Sequence, residues 1–407
     1  MGTVRSLAAV GVTVHAFILA PGDPIRLSSA CRHFDLTGIA DDEALLAHLI
    51  RHCRTLGQPP VIFPCSDAHA LLLARHREAL QGVCVVPATP FADLLGIVSK
   101  ESLYRAADGI GVSTVPWLAE PDAARLAQWS AANAGPYLLK PFYEAMPGNP
   151  LRGKNFILQT MPELLDFAAR RSLRSLIVQR VLQGGDGHIF DCYGYRDRQG
   201  RVAAMASHRR CRQYPPDFGS TSMGEIPAGL DAGQEAGLFQ ETARLLEAVK
   251  YHGIFGVEWL REQSSGRYYM IDFNARPFTT IGHLTDCGLN LPALAYADAS
   301  AAVDAGASTE AAGPGSDGIF ATGEKPVLSH LLWADVSRDL DSFAIQRRRG
   351  RMGLGEWLSS IAACRSFAYL SWSDPLPGLY RMLSIVGRAF RYRLHAGMER
   401  PRAEGSK

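Results

Sequence analysis

Three oxygen-bearing side chains in IFGVEWLREQSSGRYYMIDFNAR (residues 254–276) have the spacing of a metal site. Glu258 lies in one apolar run, and Asp272 and Asn274 lie two residues apart in the next. The turn-forming residues between the runs predict a β-hairpin. Side chains alternate along a strand, so Asp272 and Asn274 share a face, and pairing can bring Glu258 to it. Such oxygens suit Mg²⁺, whereas the alternative is an edge hairpin with solvated polar residues.

Positively charged side chains elsewhere favour the metal interpretation. Lys140 lies in the apolar run YLLKPF, where a lysine needs an anionic partner, and phosphate is a good one. Lys100 begins a predicted helix with Ser99 as its N-cap. The segment LIVQRVLQGGDG (176–187) predicts a buried strand that ends in a glycine-rich turn. Together with the acidic hairpin, these features indicate a nucleoside triphosphate site.

The order of these segments resembles the ATP-grasp superfamily. Lys100, Lys140, IVQRVLQGGDG, Glu258 and DFNAR follow one another as in that family. The likeness is greatest to its uncharacterised carboligase branch, related to carboxylate–amine ligases and D-aspartate ligases. The stretches SHRRCRQYPPDFG (207–219) and FAYLSWSDPLPG (367–378) are similar to stretches that recur in that branch. The resemblance runs from about residue 2 to about residue 380.

The resemblance implies roles for the charged residues. Glu258, Asp272 and Asn274 would hold Mg²⁺ or Mn²⁺ between the β- and γ-phosphates of ATP. Lys100 and Lys140 would neutralise the α- and β-phosphate oxygens. The catalytic residues would be Arg276, which stabilises charge on the transferred phosphoryl group or the tetrahedral intermediate, and Arg210. Arg210 or Arg212 would supply a further phosphate contact where relatives often have lysine.

The nucleotide base and sugar would lie against the hinge strand. The resemblance assigns adenine to backbone groups around Gln179, Val181 and Leu182, and the ribose hydroxyls to Asp186. The polar segment 143–155 resembles the phosphate-covering loop of the family, from which Lys154 would reach phosphate; a plain solvated lysine is the alternative. Farther along, His283 and Asp286 follow Arg276, and His283 is either a packed histidine or a contact to the acceptor substrate.

The pattern of elements predicts an α/β chain, α+β in its catalytic half, with an N-terminal doubly wound parallel sheet. Because the chain begins inside the first turn of that sheet, we expect its first strand to be missing, through a misassigned start codon or a truncated domain. We expect five parts: an N-terminal α/β domain, a small ATP-grasp subdomain, a large subdomain with the metal hairpin, a linker and return segment, and a basic helical extension. Their ranges are 1–98, 99–182, 183–298, 299–330 and 331–407.

Composition excludes several other classes. The net charge of +2 over 407 residues argues against a nucleic-acid-binding protein. Eight cysteines without a C-x-x-C motif indicate a reducing compartment, so we expect a cytoplasmic protein. The start of the chain mimics a signal peptide and a myristoylation site, but a helix followed by a strand is the preferred interpretation. Residues 331–407 carry 13 Lys and Arg against 7 Asp and Glu, which suits a solvated tail or contact with an anionic membrane or acidic partner.

The resemblance implies an ATP- and Mg²⁺-dependent ligase that joins a small carboxylate to an amine through an acyl phosphate, releasing ADP and phosphate. A non-catalytic nucleotide-binding or scaffold protein is the alternative, favoured by Arg180, where relatives often have Glu, and by the missing first strand. A bicarbonate ligase akin to biotin carboxylase is a further alternative, although the sequence has no signal for biotin handling.

Overall fold

The computed structural model describes residues 1–39, 41–87, 89–144, 151, 155–304, 328–385 and 387. Its N-terminal part combines a small parallel sheet with several helices. Strands β1 (His15–Ile18) and β2 (Arg32–Asp35) run parallel. The sequence predicts full strands around Val61 and Val85, but the described residues there form one parallel bridge. Prolines flank both segments and lack the amide donors of a longer ladder.

Helices account for most of the remaining N-terminal residues. Two of them begin as the capping rules predict, because Asp41 and Ser66 accept hydrogen bonds from the first-turn amides of their helices. The helices are α1 (Gly2–Ala8), α2 (Asp42–Arg54), α3 (Asp67–Arg75), α4 (Arg77–Leu80), α5 (Phe91–Val98) and α6 (Lys100–Gly109).

A four-stranded antiparallel sheet follows, with two helices. Its strands are β3 (Trp117–Ala119), β4 (Tyr137–Pro141), β5 (Phe156–Leu158) and β6 (Leu176–Arg180), in the spatial order β3-β6-β4-β5. The helices are α7 (Ala123–Ala132) and α8 (Met161–Arg170). Leu126 of α7 and Leu164 of α8 pack with Leu139 and Val178 of the sheet. The sheet places Lys140 opposite Ile177 of the predicted hinge strand.

A seven-stranded sheet carries the predicted metal hairpin. Its order is β11-β10-β7-β8-β9-β12-β13, and all neighbours are antiparallel except the last pair. The strands are β7 (Ile189–Arg196), β8 (Val202–Tyr214), β9 (Ser220–Ile226), β10 (Gly253–Arg261), β11 (Tyr268–Asn274), β12 (Leu331–Ala334) and β13 (Ser366–Phe367). The predicted hairpin β10–β11 forms, β7 and β8 form a second hairpin, and the α/β class of the chain is confirmed.

Helices pack on this sheet and follow its last strands. They are α9 (Ala232–Ala248), α10 (Ile281–Asp286), α11 (Leu291–Asp304), α12 (Val336–Arg348), α13 (Leu354–Ala363) and α14 (376–385). Two expected boundaries differ here. The first residues of the predicted linker, 299–304, continue α11, and residues 305–327 lie outside the described residues. The predicted helical extension contributes β12 and β13, because β12 pairs with β9 and β13 pairs with β12 at the edge of the sheet.

The described helices include none that is long and apolar enough to cross a bilayer.

Candidate active site

The hairpin β10–β11 brings the three predicted metal ligands together. Glu258 lies directly opposite Asp272, and Gly256 opposite Asn274. The Asn274 side-chain amide donates to Glu258 Oε1 at 2.9 Å. The three side chains therefore share one face, as strand alternation predicts.

A β-bulge in this ladder frees a backbone carbonyl for contacts in the site. After the Glu258–Asp272 pair, Trp259 pairs with Met270, so Ile271 is skipped. Skipped residues of a β-bulge leave backbone groups for other partners. The Ile271 carbonyl accepts from the Tyr104 hydroxyl at 2.7 Å and lies 3.5 Å from Lys140 Nζ. The bulge thus connects the hairpin to α6 and to the small sheet.

Lys100 forms an ion pair with Asp272. It is the first residue of α6, and Ser99 caps the helix by accepting from the Ser102 amide, as predicted. Burial opposes the charged form of Lys100, but Asp272 and Glu144 outweigh burial and raise its pKa. Burial likewise opposes the Asp272 carboxylate, whereas Lys100 and Lys140 lower its pKa below the ordinary value. Both side chains therefore stay charged.

Lys140 is buried beside this ion pair, and its hydrogen-bond contacts among the described residues are to neutral oxygens. Its Nζ lies 3.5 Å from the Tyr104 hydroxyl and 3.5 Å from the Ile271 carbonyl. Hydrogen bonds of that length are weak. Lys140 is therefore buried and weakly hydrogen-bonded, and its ammonium has capacity for a stronger, anionic partner.

Arg210 lies behind Glu258. Its guanidinium binds Asp191 through both carboxylate oxygens, at 2.6 and 3.1 Å, and lies 2.6 Å from Glu258 Oε1. Burial opposes the charge on Arg210, but Asp191 and Glu258 outweigh it and raise its pKa. Burial raises the pKa of Glu258 despite Arg210, whereas Arg210 and His208 overcome burial and lower the pKa of Asp191 to about 2. Arg210 thus orients a predicted metal ligand.

Arg212, the other arginine proposed for phosphate contact, points elsewhere. Its Nε and NH2 donate to the two carboxylate oxygens of Asp339 on α12, at 2.9 and 2.7 Å. Ser222 and Trp357 also donate to Asp339, which is completely buried. Between the two arginines, the structure brings only Arg210 to the hairpin.

Arg276 contacts the N-terminal part of the chain. Its Nε lies 2.9 Å from Asp67 Oδ1, and its NH2 donates to Oδ2 at 3.2 Å. Asp67 is the first residue of α3. A cleft runs past this ion pair to the hairpin, so the structure brings charged residues from four separate segments to one opening. Its lining residues are Asp67, Val98, Lys100, Glu144, Asp272, Phe273, Asn274 and Arg276.

The predicted hinge strand supplies a further polar group. The Gln179 side chain is buried, and its amide nitrogen has no hydrogen-bond partner among the described residues. A buried donor without a partner favours a ligand at that position. The Val181 amide is already used, because it donates to the Pro136 carbonyl at 2.8 Å. Leu182 packs with Val115, Ile189 and Leu260. The adenine assignments stay predictions.

Asp186 follows the hinge strand and is held by protein donors. Gln213 and Gln346 donate to its carboxylate at 3.2 and 2.7 Å, and the Asp217 amide donates at 3.4 Å. Burial raises the pKa of Asp186. Contact with ribose would require Asp186 to exchange one of these partners. Lys154, the other predicted nucleotide contact, lies outside the described residues.

His283 packs between α10 and its neighbours, whereas Asp286, at the end of the same helix, is exposed. His283 is completely buried, and its Nε2 lies 3.0 Å from the Leu331 carbonyl. Burial, helped by His208, lowers the pKa of His283 to about 3. Ser366 donates to Asp286. These contacts favour the packed histidine over a substrate contact.

The residues present fit a hard divalent cation. Two carboxylates and an amide oxygen are donors that Mg²⁺ accepts. The raised pKa of Glu258 indicates that the positive charge around it only partly offsets its burial. Among the described residues, no group of three or more His, Cys, Asp or Glu is arranged to hold a metal by itself.

Sequence reasoning missed several residues that order the site. Asp67, Tyr104 and Asp191 contact Arg276, the Ile271 carbonyl and Arg210 from distant parts of the chain. Each lies in an ordinary helix or strand pattern. Asp191, an acidic residue in the buried stretch HIFDCYGY, is the only one of them with a visible signal.

No protein-family model matches the sequence, and no curated protein matches it. Solved structures do match. The biotin carboxylase domain of the Hydrogenobacter thermophilus 2-oxoglutarate carboxylase, in complex with MgADP, ADP and bicarbonate, is 14% identical with a TM-score of 0.57. The match covers 73% of this chain and 66% of that domain, so the chain spans slightly less than two thirds of its length.

Two further structures are similar. The L-amino acid ligase from Bacillus licheniformis is 17% identical, with a TM-score of 0.54, over 73% of this chain and 70% of that chain. The N5-carboxyaminoimidazole synthetase from Staphylococcus aureus is 12% identical, with a TM-score of 0.56, over 85% of this chain and 82% of that chain. At these identities the likeness establishes the fold.

Proposed function

We propose that this chain, which has the ATP-grasp fold, is an ATP- and Mg²⁺-dependent ligase that joins a small carboxylate to an amine. One observation carries the proposal: Lys100, Asp272, Asn274 and Arg276 line a single cleft, with Lys140 and Glu258 directly beside them. Such a set of two lysines, an arginine and oxygen donors suits a triphosphate with its cation.

Each of the cleft residues would have a separate role in phosphoryl transfer. Lys100 and Lys140 bind phosphate oxygens and hold the chain of phosphates in place. Glu258, Asp272 and Asn274 hold Mg²⁺ (Mn²⁺ would fit the same oxygens), which supplies positive charge against the phosphate oxygens when bound. Arg276 stabilises negative charge on the phosphoryl group or the tetrahedral intermediate. Arg210 orients Glu258 through its contact with Asp191.

The chemistry proceeds in two steps. A carboxylate is unreactive towards amines, because oxide is a poor leaving group. Transfer of the γ-phosphoryl group of ATP to a carboxylate oxygen forms an acyl phosphate and releases ADP. The amine then attacks the acyl carbon, the C–O bond to phosphate breaks, and the amine nitrogen loses a proton as the amide forms. The protein contributes positioning and charge stabilisation.

The test is ATP consumption by the full chain with Mg²⁺ across a panel of carboxylic acids and amines. We expect ADP and phosphate as products with the correct pair, and trapping of the acyl phosphate by hydroxylamine as a hydroxamate. Stoichiometric AMP and pyrophosphate would exclude this mechanism. We expect Asp272→Ala and Asn274→Ala to abolish Mg²⁺-dependent turnover, whereas Asn133→Ala, at the end of α7 and outside the cleft, serves as the matched control.

A nucleotide-binding protein without turnover is the second candidate. Arg180 in the hinge strand and the pairing of Arg276 with Asp67 favour it, because Asp67 occupies a guanidinium that catalysis would need. This candidate predicts that calorimetry detects Mg²⁺-dependent ATP binding that Asn274→Ala weakens. It also predicts that no acid and amine in the panel cause ATP consumption. The two candidates thus predict the same Mg²⁺-dependent ATP binding but different ATP consumption.

A further inference from the structure

Helix α14 turns an apolar stripe towards solvent. Leu376, Leu379, Tyr380 and Leu383 recur at the spacing of one helix face. The three leucines are 53%, 55% and 62% exposed, and Trp372, just before the helix, is fully exposed. In a surface helix such a face normally packs against the protein. Here it is displayed, which marks an interaction surface.

The other face of α14 attaches the helix to the protein. A Cβ at Gly378 would lie only 2.8 Å from Leu370 Cδ2 and 3.0 Å from the Tyr369 carbonyl oxygen, so the helix approaches this segment as closely as glycine permits. Arg381 donates to the Ser337 hydroxyl at 3.3 Å and lies over the Tyr369 ring. The exposed stripe is therefore the side of the helix left free by a specific docking contact.

The segment before the helix is also held firmly. Asp374 is buried and accepts from the Ser28 hydroxyl at 2.7 Å, the Ser29 amide at 2.9 Å and Arg5 Nε at 3.0 Å. Arg5 also donates to the Tyr369 and Asp374 carbonyls, each at 2.8 Å. The folded protein thus fixes the position of the stripe.

The sequence that follows the stripe is strongly basic. Residues 386–407 contain six Lys and Arg against two Glu, with Phe390 and Tyr392 among the first arginines. An apolar helix face with Trp and Leu, joined to such a segment, matches the chemistry of an anionic bilayer surface. A second copy of the chain is disfavoured as the occupant, because it would bring two basic segments together.

We infer that the surface formed by Trp372, Leu376, Leu379 and Leu383 binds the interface of an anionic lipid bilayer. The leucines and the indole enter the headgroup region, and the positive charge of the sequence after residue 386 favours an anionic surface over a neutral one. This contact is peripheral and reversible, and it is independent of ATP chemistry in the cleft.

The test is co-sedimentation of the full chain with vesicles of phosphatidylcholine, with and without phosphatidylserine. We expect binding at least roughly tenfold stronger to the anionic vesicles, and weaker at high salt. The double variant Leu379→Glu/Leu383→Glu should lose roughly tenfold in binding, and Trp372→Ser should lose less. Val10→Glu, at an apolar position of similar exposure (54%), should bind as wild type. ATP consumption and thermal denaturation should be unchanged in all variants.

Four results would overturn the inference. Equal binding to neutral and anionic vesicles would exclude recognition of acidic lipids. Unchanged vesicle binding by the double variant would show that the stripe is not the membrane-binding surface. Light scattering that shows a wild-type dimer, and a monomer for the double variant, would assign the surface to self-association. A protein partner captured only by the wild type, in the absence of vesicle binding, would assign it to an acidic protein.

Discussion

Arg210 and Arg212 lie on the same strand, two residues apart, and each binds an aspartate through both oxygens. A break in the ladder between them directs their side chains to different parts of the molecule. Arg210 also contacts Glu258 of the hairpin, whereas Arg212 joins the sheet to α12. The comparison shows that two buried ion pairs with the same chemistry can have different roles, which depend on the third group that each contacts.

The largest expected effect concerns Arg212. Arg212→Met removes one partner of a buried pair and leaves the Asp339 carboxylate with Ser222 and Trp357 as its donors among the described residues. We expect the free energy of unfolding to fall by about 3–5 kcal/mol. Urea denaturation followed by tryptophan fluorescence measures it. Arg170→Met, on α8 with an exposed pair to Asp166, should change it by less than about 1 kcal/mol. Unaltered stability of Arg212→Met would remove the distinction between the two arginines.

Arg210→Lys tests the other half of the comparison. Lysine keeps the charge but cannot bind Asp191 through a planar fork and reach Glu258 at the same time. Because Glu258 would then be misplaced, we expect the apparent affinity for Mg²⁺ in ATP turnover to fall roughly 10- to 100-fold. Titration of Mg²⁺ at saturating ATP measures this. Arg212→Lys is the control, and an equal loss of Mg²⁺ affinity in that variant would show that both arginines act through overall stability.

Lys140 extends the comparison to a charge for which the described residues show no ion pair. Lys140→Met should weaken ATP binding by about 1–3 kcal/mol, the magnitude of a charge-assisted hydrogen bond. Thermal stability without ATP should be equal or higher, because an ammonium is no longer buried. Calorimetry and thermal denaturation give the two values. A variant that unfolds but binds ATP normally when folded would make Lys140 a structural residue.

The smallest expected effect is a pH dependence that separates Glu258 from Asp191. Burial raises the pKa of Glu258, so lowering the pH protonates it before an ordinary glutamate and weakens Mg²⁺ binding. A higher Mg²⁺ concentration should move the pH midpoint of Mg²⁺ binding to lower pH, because metal and proton compete for Glu258.

Asp191, with its pKa of about 2, stays charged throughout, and its contribution to stability is lost only as the pH falls towards that value. Mg²⁺ titrations between about pH 5 and pH 8 test this. A pH midpoint that does not shift with the Mg²⁺ concentration would contradict this prediction. So would a midpoint that is unchanged in Glu258→Gln.

The hairpin could be predicted because its determinants are local. Alternation of apolar and polar residues places Asp272 and Asn274 on one face, and the turn at 263–267 makes the two runs antiparallel neighbours. The N-cap at Ser99 is equally local. The bulge at Ile271 was not predictable, since it depends on where Tyr104 and Lys140 supply donors for the freed carbonyl.

Contacts over long distances along the chain account for most of what the sequence leaves open. Nothing near Arg276 indicates that Asp67, more than 200 residues earlier, would pair with it. The same holds for the choice between Arg210 and Arg212, which depends on a register shift in β8. The strands expected around Val61 and Val85 show a different failure, because apolar content predicted strands where prolines limit the ladder.

The ion pair between Asp67 and Arg276 has a consequence for affinity. Asp67 is attached to the same molecule and therefore competes for the guanidinium at a high effective concentration, of millimolar order for flexibly linked groups. A substrate anion that binds Arg276 exchanges one carboxylate for another, so the free energy gained is only the difference between the two contacts. Asp67→Asn would remove that competition, and anions would then bind this end of the cleft more tightly than they bind the wild-type protein.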